Sequence, residues 1–217
     1  MSGHFEVLNL TRFTFVPAEP PPNPKSIEQL QASAATCKGC ELYKDATQTV
    51  FGEGEEHSRL MLIGEQPGDQ EDLQGRPFVG PAGRLLQRAL DEAGIDRRRV
   101  YVTNAVKHFR FTMRGKRRLH EKANAGQVRA CRPWLEAEIE VVAPRMLVLL
   151  GATAAQSVMG PAFRVSKQRG EVVQTSFGIP AVATVHPSSI LRATDDESRD
   201  TAMASFIADL RVAARNA

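Results

Sequence analysis

With 217 residues, 42% of them hydrophobic, the chain can bury one full α/β core and has little left for a second domain. Three cysteines make a poor disulfide framework, and no stretch approaches the roughly 18 apolar residues that span a bilayer. A formal charge of +3 argues only weakly for a polyanionic partner, but basic side chains crowd between Arg97 and Lys122, a local focus able to steer nucleic acid onto one face.

In chain order, residues 1–25 read as a lead-in that ends in Pro17-Ala-Glu-Pro-Pro-Pro-Asn-Pro24, where consecutive prolines exclude helix and favour extended chain. No basic region followed by an apolar run opens it, so no secretory signal, no membrane contact and a reducing, cytoplasmic location are expected. Residues 26–217 form the one expected domain. Ser26, with Gln29 three residues on, caps a first helix running to about Ala35. Four short apolar runs read as buried parallel strands: Leu60–Ile63, Val100–Val102, Met146–Leu150 and Ala181–Val185. Amphipathic helices separate or follow them at Gly83–Ala93, Gln127–Val142, Ala152–Met159 and about Asp200–Ala214. This alternation predicts a three-layer αβα sandwich on a four-stranded, mostly parallel sheet. Each strand ends in a polar or glycine-rich loop, at Gly64-Glu65, Thr103-Asn104, Gly151-Ala152 and His186-Pro187. Ligands of such sheets bind outside the carboxyl ends of the strands, so these four loops should converge.

Cys37-Lys-Gly-Cys40 has metal-type spacing, Cys131 stands alone, and His108 is the obvious fourth donor. Three thiolates and one imidazole suit zinc or an iron–sulfur cluster equally well on spacing. Gly64-Glu65-Gln66-Pro67-Gly68-Asp69 is followed by no Lys-Ser/Thr and matches no dinucleotide fingerprint, so it is not read as a nucleotide loop. Phe78, in a polar glycine-rich segment, is placed either to stack on a planar base or to pack in the core. The loop Gly115-Lys116-Arg117-Arg118-Leu119-His120 sets an imidazole beside three cations, which by composition alone suits phosphate contact.

Taken together, Gly64-Glu-Gln-Pro-Gly68, Gly75-Arg-Pro-Phe-Val-Gly-Pro-Ala-Gly83, Thr103-Asn-Ala-Val-Lys-His108, Lys116-Arg-Arg-Leu-His120, Cys131-Arg-Pro-Trp134 and His186-Pro-Ser-Ser-Ile-Leu-Arg192 resemble, in this order, the motifs of the iron–sulfur branch of the uracil-DNA glycosylases. The resemblance covers roughly residues 35–212 and is nearest to the covalently trapping UdgX type. Gln66 stands where the ordinary branch has alanine, and the basic insertion ending in His120 is absent there. Leu119 departs from the isoleucine of the familiar motif, a conservative apolar exchange.

The resemblance implies a structural [4Fe-4S] cluster on Cys37, Cys40, His108 and Cys131, and excision of uracil from DNA, preferably single-stranded, by a monomer associated with the nucleoid. It implies that Asn104 reads the base edge, Phe78 stacks on the ring, Gln66 and Asp69 complete the pocket, and His186 donates to the departing uracil. Glu65 is expected to stabilise positive charge on the sugar and to hold the His120 ring in position. His120 is expected to attack C1′ as a neutral nucleophile, with Lys116, Arg117 and Arg118 disfavouring its cation and meeting DNA. Leu191 would fill the space left by the flipped nucleotide while Arg192 meets phosphate. Two readings remain beside this one: a conventional multiple-turnover glycosylase that releases an abasic site, and a non-enzymatic DNA-binding module with a structural metal.

Overall fold

The computed structural model describes residues 19–217; Pro17, Ala18 and the preceding lead-in lie outside the described residues, and 19–26 are neither helix nor strand. Helix α1 (Ile27–Ala34) starts where the capping pattern places it, with the Ser26 hydroxyl accepting from the Gln29 N–H at 3.2 Å. Gln29 turns back to accept from Lys25 N–H rather than from the cap residue itself.

The strands β1 (Leu60–Gly64), β2 (Val100–Asn104), β5 (Met146–Leu150) and β7 (Pro180–Thr184) are the four expected ones, mutually parallel where they pair. The sheet nevertheless has five strands, in the order β2-β1-β5-β7-β6. The fifth, β6 (Val172–Gln174), runs antiparallel to β7 at the edge. It is three residues long and largely exposed, so it lacks the apolar run that marks the others.

Helices cover both faces. Along the strands, side chains alternate between two cores: Met61, Ile63, Tyr101, Leu147 and Leu149 pack with α1, α4 (Ala125–Val142) and α5 (Ala152–Met159). Leu60, Leu62, Val100, Val102, Met146 and Val148 pack instead with α3 (Pro81–Ala93), the short α7 (Pro187–Leu191) and α8 (Asp196–Arg215). The period of two is what lets continuous apolar strands feed two separate layers. Short helices α2 (Asp69–Gln74) and α6 (Val165–Gln168) complete the α-helices of the described residues, beside two 3-10 turns at Glu41–Lys44 and Arg97–Arg99.

The basic segment expected as a loop is a β-hairpin. Strand β3 (Phe111–Arg114) pairs antiparallel with β4 (Arg117–His120), and Gly115 turns the chain at φ +59°. Neither strand joins the main sheet, and neither contributes a residue to either hydrophobic core.

Candidate active site

Strand β1 lies between β2 and β5, with β2 the next strand in one direction and β5 reached in the other. A crevice therefore opens at the carboxyl end of β1, as in open α/β sheets generally. The cleft there has a volume of about 790 Å³ and is lined by Glu65, Gln66, Asp69, Phe78, Asn104, His120, His186, Leu191 and Arg192, nine of the twelve residues expected at the reaction site.

Gly64 and Asn104 are register partners at the ends of β1 and β2. A Cβ on Gly64 would lie 2.3 Å from Asn104 Oδ1 and 2.7 Å from Phe78 Cζ, so the missing side chain leaves the slot that both occupy. Phe78 adopts φ +56°, a strained conformation for a bulky residue. Gly83 permits it, because a Cβ there would sit 1.6 Å from the Phe78 carbonyl oxygen. The Phe78 ring stands 6.3 Å from the His186 ring at an interplanar angle of 30°. Asn104 itself is buried, at the mouth of the cleft floor.

His186 sits where β7 gives way to α7. Its Nδ1 accepts from the Ser188 N–H at 3.2 Å and lies 2.8 Å from the Ser188 hydroxyl. Burial above all, with the Arg192 charge nearby, holds its pKa down to about 4. The ring is therefore neutral near pH 7. With Nδ1 accepting a backbone proton, the ring proton belongs on Nε2, leaving a donor for the cleft.

Glu65 does not hold His120, contrary to expectation. Its Oε1 accepts from the Ala123 N–H at 3.1 Å and its Oε2 from the Thr153 hydroxyl at 2.7 Å, which fixes the carboxylate with both oxygens engaged. The residue that meets His120 is Gln66, whose Nε2 lies 2.9 Å from His120 Nε2. Gln66 Oε1 accepts from the Arg110 N–H at 3.3 Å, and its amide nitrogen also donates to the Glu121 carbonyl at 2.8 Å. The same amide nitrogen also lies 3.2 Å from the Arg110 carbonyl, so three acceptors share its two protons, and it donates to His120 when Nε2 presents its lone pair.

The three cations of the hairpin separate into two groups. Lys116 and Arg117 are exposed and do not line the cleft. Arg118, expected to contact DNA, is instead half-buried in a clamp: Nε donates to Asp69 at 2.7 Å and Nη1 to the fully buried Asp72 at 2.6 Å. Its guanidinium also lies 5.4 Å from the Phe109 ring and 5.1 Å from the Phe111 ring. Asp69 thus faces the cleft while one of its oxygens anchors the hairpin. Leu191 is 41% exposed on the rim, beside Arg192.

On the opposite side of β2, Cys37 and Cys40 pack against the core that contains buried Cys131, and all three thiols are free. Burial pushes the Cys131 thiol up to about 12, Lys107 draws it back, and Cys37 and Cys40 are close enough to act on it. The Lys107 N–H donates to Cys131 Sγ at 3.2 Å, which brings the next residue, His108, to the same region. Burial holds the His108 pKa down to about 4, so the imidazole is neutral and able to ligate. Among the described residues, no three His, Cys, Asp or Glu side chains gather as a single ion's ligands do. A multi-iron cluster spreads its ligands around several atoms, and three soft sulfurs with a neutral imidazole fit that demand.

Thr153 and Lys122 also line the cleft and carry no motif that singles them out in sequence; Thr153 follows the expected helix start at Ala152, a placement that hints at it. No helix among the described residues is long and apolar enough to cross a membrane.

Comparison with known proteins accords with this geometry. The family model described as the uracil DNA glycosylase superfamily matches residues 51–211. A Type-4 uracil-DNA glycosylase of Thermotoga maritima is 38% identical over 164 residues, covering 75% of this chain and 82% of the relative. Its counterpart from Sulfurisphaera tokodaii is 33% identical over 174 residues, 76% of each chain. A Type-5 uracil-DNA glycosylase of Pyrobaculum aerophilum is 31% identical over 154 residues, 63% of this chain and 64% of the relative.

Proposed function

This chain belongs to the uracil-DNA glycosylase superfamily, and from that premise we propose that it excises uracil from DNA, single strands favoured, and is then held to its product by a bond from His120 to C1′ of the deoxyribose. The observation that supports the capture step is the Gln66–His120 contact, which favours a ring that keeps its Nε2 lone pair and that lines the cleft.

The nucleotide leaves the base stack at a cost of a few kcal/mol, least in a single strand. Uracil enters the slot, its ring against Phe78 and its Watson–Crick edge toward the Asn104 carboxamide, which distinguishes it from cytosine. As the C1′–N1 bond breaks, its electron pair departs with uracil, and the neutral His186 donates from Nε2 to the developing anion. Glu65, anchored by Ala123 and Thr153, offers its negative charge to the oxocarbenium-like sugar. The lone pair of His120 Nε2 then forms the new bond to C1′. The ring proton on Nδ1 makes the adduct an imidazolium, and uracil takes a proton from water. With no easy hydrolytic exit from the adduct, one turnover is expected per monomer. Leu191 fills the vacated stack, and Arg192 and the exposed Lys116 and Arg117 meet phosphate.

Cys37, Cys40, Cys131 and His108 would hold a [4Fe-4S] cluster whose contribution is structural, tying the segment before residue 45 to α4. The deciding experiment incubates the protein with a uracil-containing single strand and separates the denatured products on a gel. A retarded protein–DNA band that disappears in His120→Ala is expected. Free, alkali-labile DNA without that band would mean conventional turnover, and thymine-containing DNA should yield neither product.

A further inference from the structure

A charged pair lies wholly buried beneath the cleft and takes no part in the reaction proposed above. The Lys107 and Glu138 side chains are 1% and 0% exposed, and the Lys107 ammonium donates to Glu138 Oε2. Its other two protons go to the Thr103 hydroxyl at 2.7 Å and the Asn104 main-chain oxygen at 2.7 Å. All three donors are thereby used. Glu138 in turn accepts from the Tyr101 hydroxyl at 2.8 Å, the Gly52 N–H at 3.1 Å and the Thr103 hydroxyl.

Taking two charges out of water is costly, and well-packed apolar residues would hold a core together as well or better. What the pair does that apolar residues cannot is to fix one particular main-chain atom. The chain leaves the sheet at Asn104, the last residue of β2, and its carbonyl there is met by the ammonium. The next peptides are pinned as well: Ala105 and Val106 N–H donate to the Gly64 and Glu65 carbonyls at 2.9 Å, the Lys107 N–H donates to Cys131 Sγ, and the Lys107 carbonyl accepts from Val50 N–H at 2.8 Å.

We propose that Lys107 is a positioning residue for base recognition: its Glu138-held ammonium sets the main chain at Asn104, and with it the aim of the carboxamide in the cleft. This rests on the reading that Asn104 meets the uracil edge. Glu138 is on α4, seven residues after Cys131, so the helix bearing a candidate metal ligand and the strand end bearing the base reader become one rigid body.

Lys107→Met alone leaves the Glu138 carboxylate buried without its cation and is expected to destabilise the fold. The informative variant is Lys107→Met/Glu138→Gln, which removes both charges while the Gln oxygen still accepts from Tyr101 and Gly52. It is measured on the complete, iron-containing protein by thermal melting, visible absorbance, and single-turnover excision from a uracil-containing single strand. A melting temperature and absorbance near wild type are expected, with half-saturating DNA concentration unchanged and the maximal excision rate lowered roughly tenfold to a hundredfold. In an Asn104→Ala background the same double change should lower the rate no further, because its effect runs through Asn104. A wild-type maximal rate, or a full additional loss on top of Asn104→Ala, would overturn the proposal. Absence of excision by the wild-type protein would instead overturn the glycosylase reading on which it rests.

Discussion

The amide nitrogen of Gln66 lies 2.9 Å from Nε2 of His120, a contact in which the amide donates when the ring carries its proton on Nδ1. Under the proposed capture step the contact favours that tautomer and must loosen before Nε2 can reach carbon. Gln66→Leu, similar in volume, removes the selecting donor. The yield of protein-linked DNA should fall about twofold to tenfold, in line with one hydrogen bond, while uracil release persists. Densitometry of the retarded band against alkali-cleaved DNA measures both; an unchanged ratio would dismiss the role of Gln66.

Arg118 is the pin that attaches the hairpin. Arg118→Ala strips the cation from buried Asp72, although Thr47 still donates to that carboxylate from its N–H and hydroxyl. A loss of about 2–3 kcal/mol in stability is expected, below the full cost of orphaning a buried charge. Denaturant unfolding reads the stability. Capture should fall more than excision, because Glu65, Asn104 and His186 are held by other contacts.

Gly64→Ala tests the slot. The added methyl meets only the ends of two side chains, so the protein should fold, but Asn104 and Phe78 must both give way. A loss on the order of a hundredfold in single-turnover excision is expected, with little change in melting temperature. A near-normal rate would mean that base binding does not depend on that pair.

His186 gives stability a pH dependence. Its native pKa of about 4 lies below the ordinary 6.5, so the unfolded chain binds a proton that the native protein refuses between those values. The contribution of the neutral ring is complete above pH 6.5 and declines as pH falls toward 4. Thermal melting across that window should show a decline that is smaller in His186→Gln. Excision should not lose a catalytic proton donor between pH 7 and 5 on account of His186, since the ring stays neutral throughout.

Cys37→Ala should lower iron content and melting temperature together, and visible absorbance with them. Metal analysis of anaerobically purified protein that found zinc and no iron would replace the cluster with a single ion.

Four of the five sheet strands were legible because both their faces are buried, which writes each as an unbroken apolar run. Strand β6 escaped because Val172 and Gln174 are exposed and the element is three residues long. The hairpin escaped for a related reason: its strands carry arginine, threonine and histidine on surfaces that face water or the cleft, so no apolar alternation announces them. Glu65, Asn104 and His186 could be placed at strand ends because position along a strand is local information. Their partners could not be. Thr153 for Glu65, Asp72 for Arg118 and Glu138 for Lys107 are 88, 46 and 31 residues away in the chain, and only the folded topology joins them.

The ribbon that bears His120 adds nothing to either packed layer of the protein and is fastened mainly by one arginine and one glutamine. Under the proposed mechanism, base removal and capture would therefore be modular. A scaffold without the ribbon would retain its floor and walls, and grafting the ribbon with its two fasteners onto a related sheet would be the economical way to turn a repair catalyst into a permanent marker of the lesion it finds.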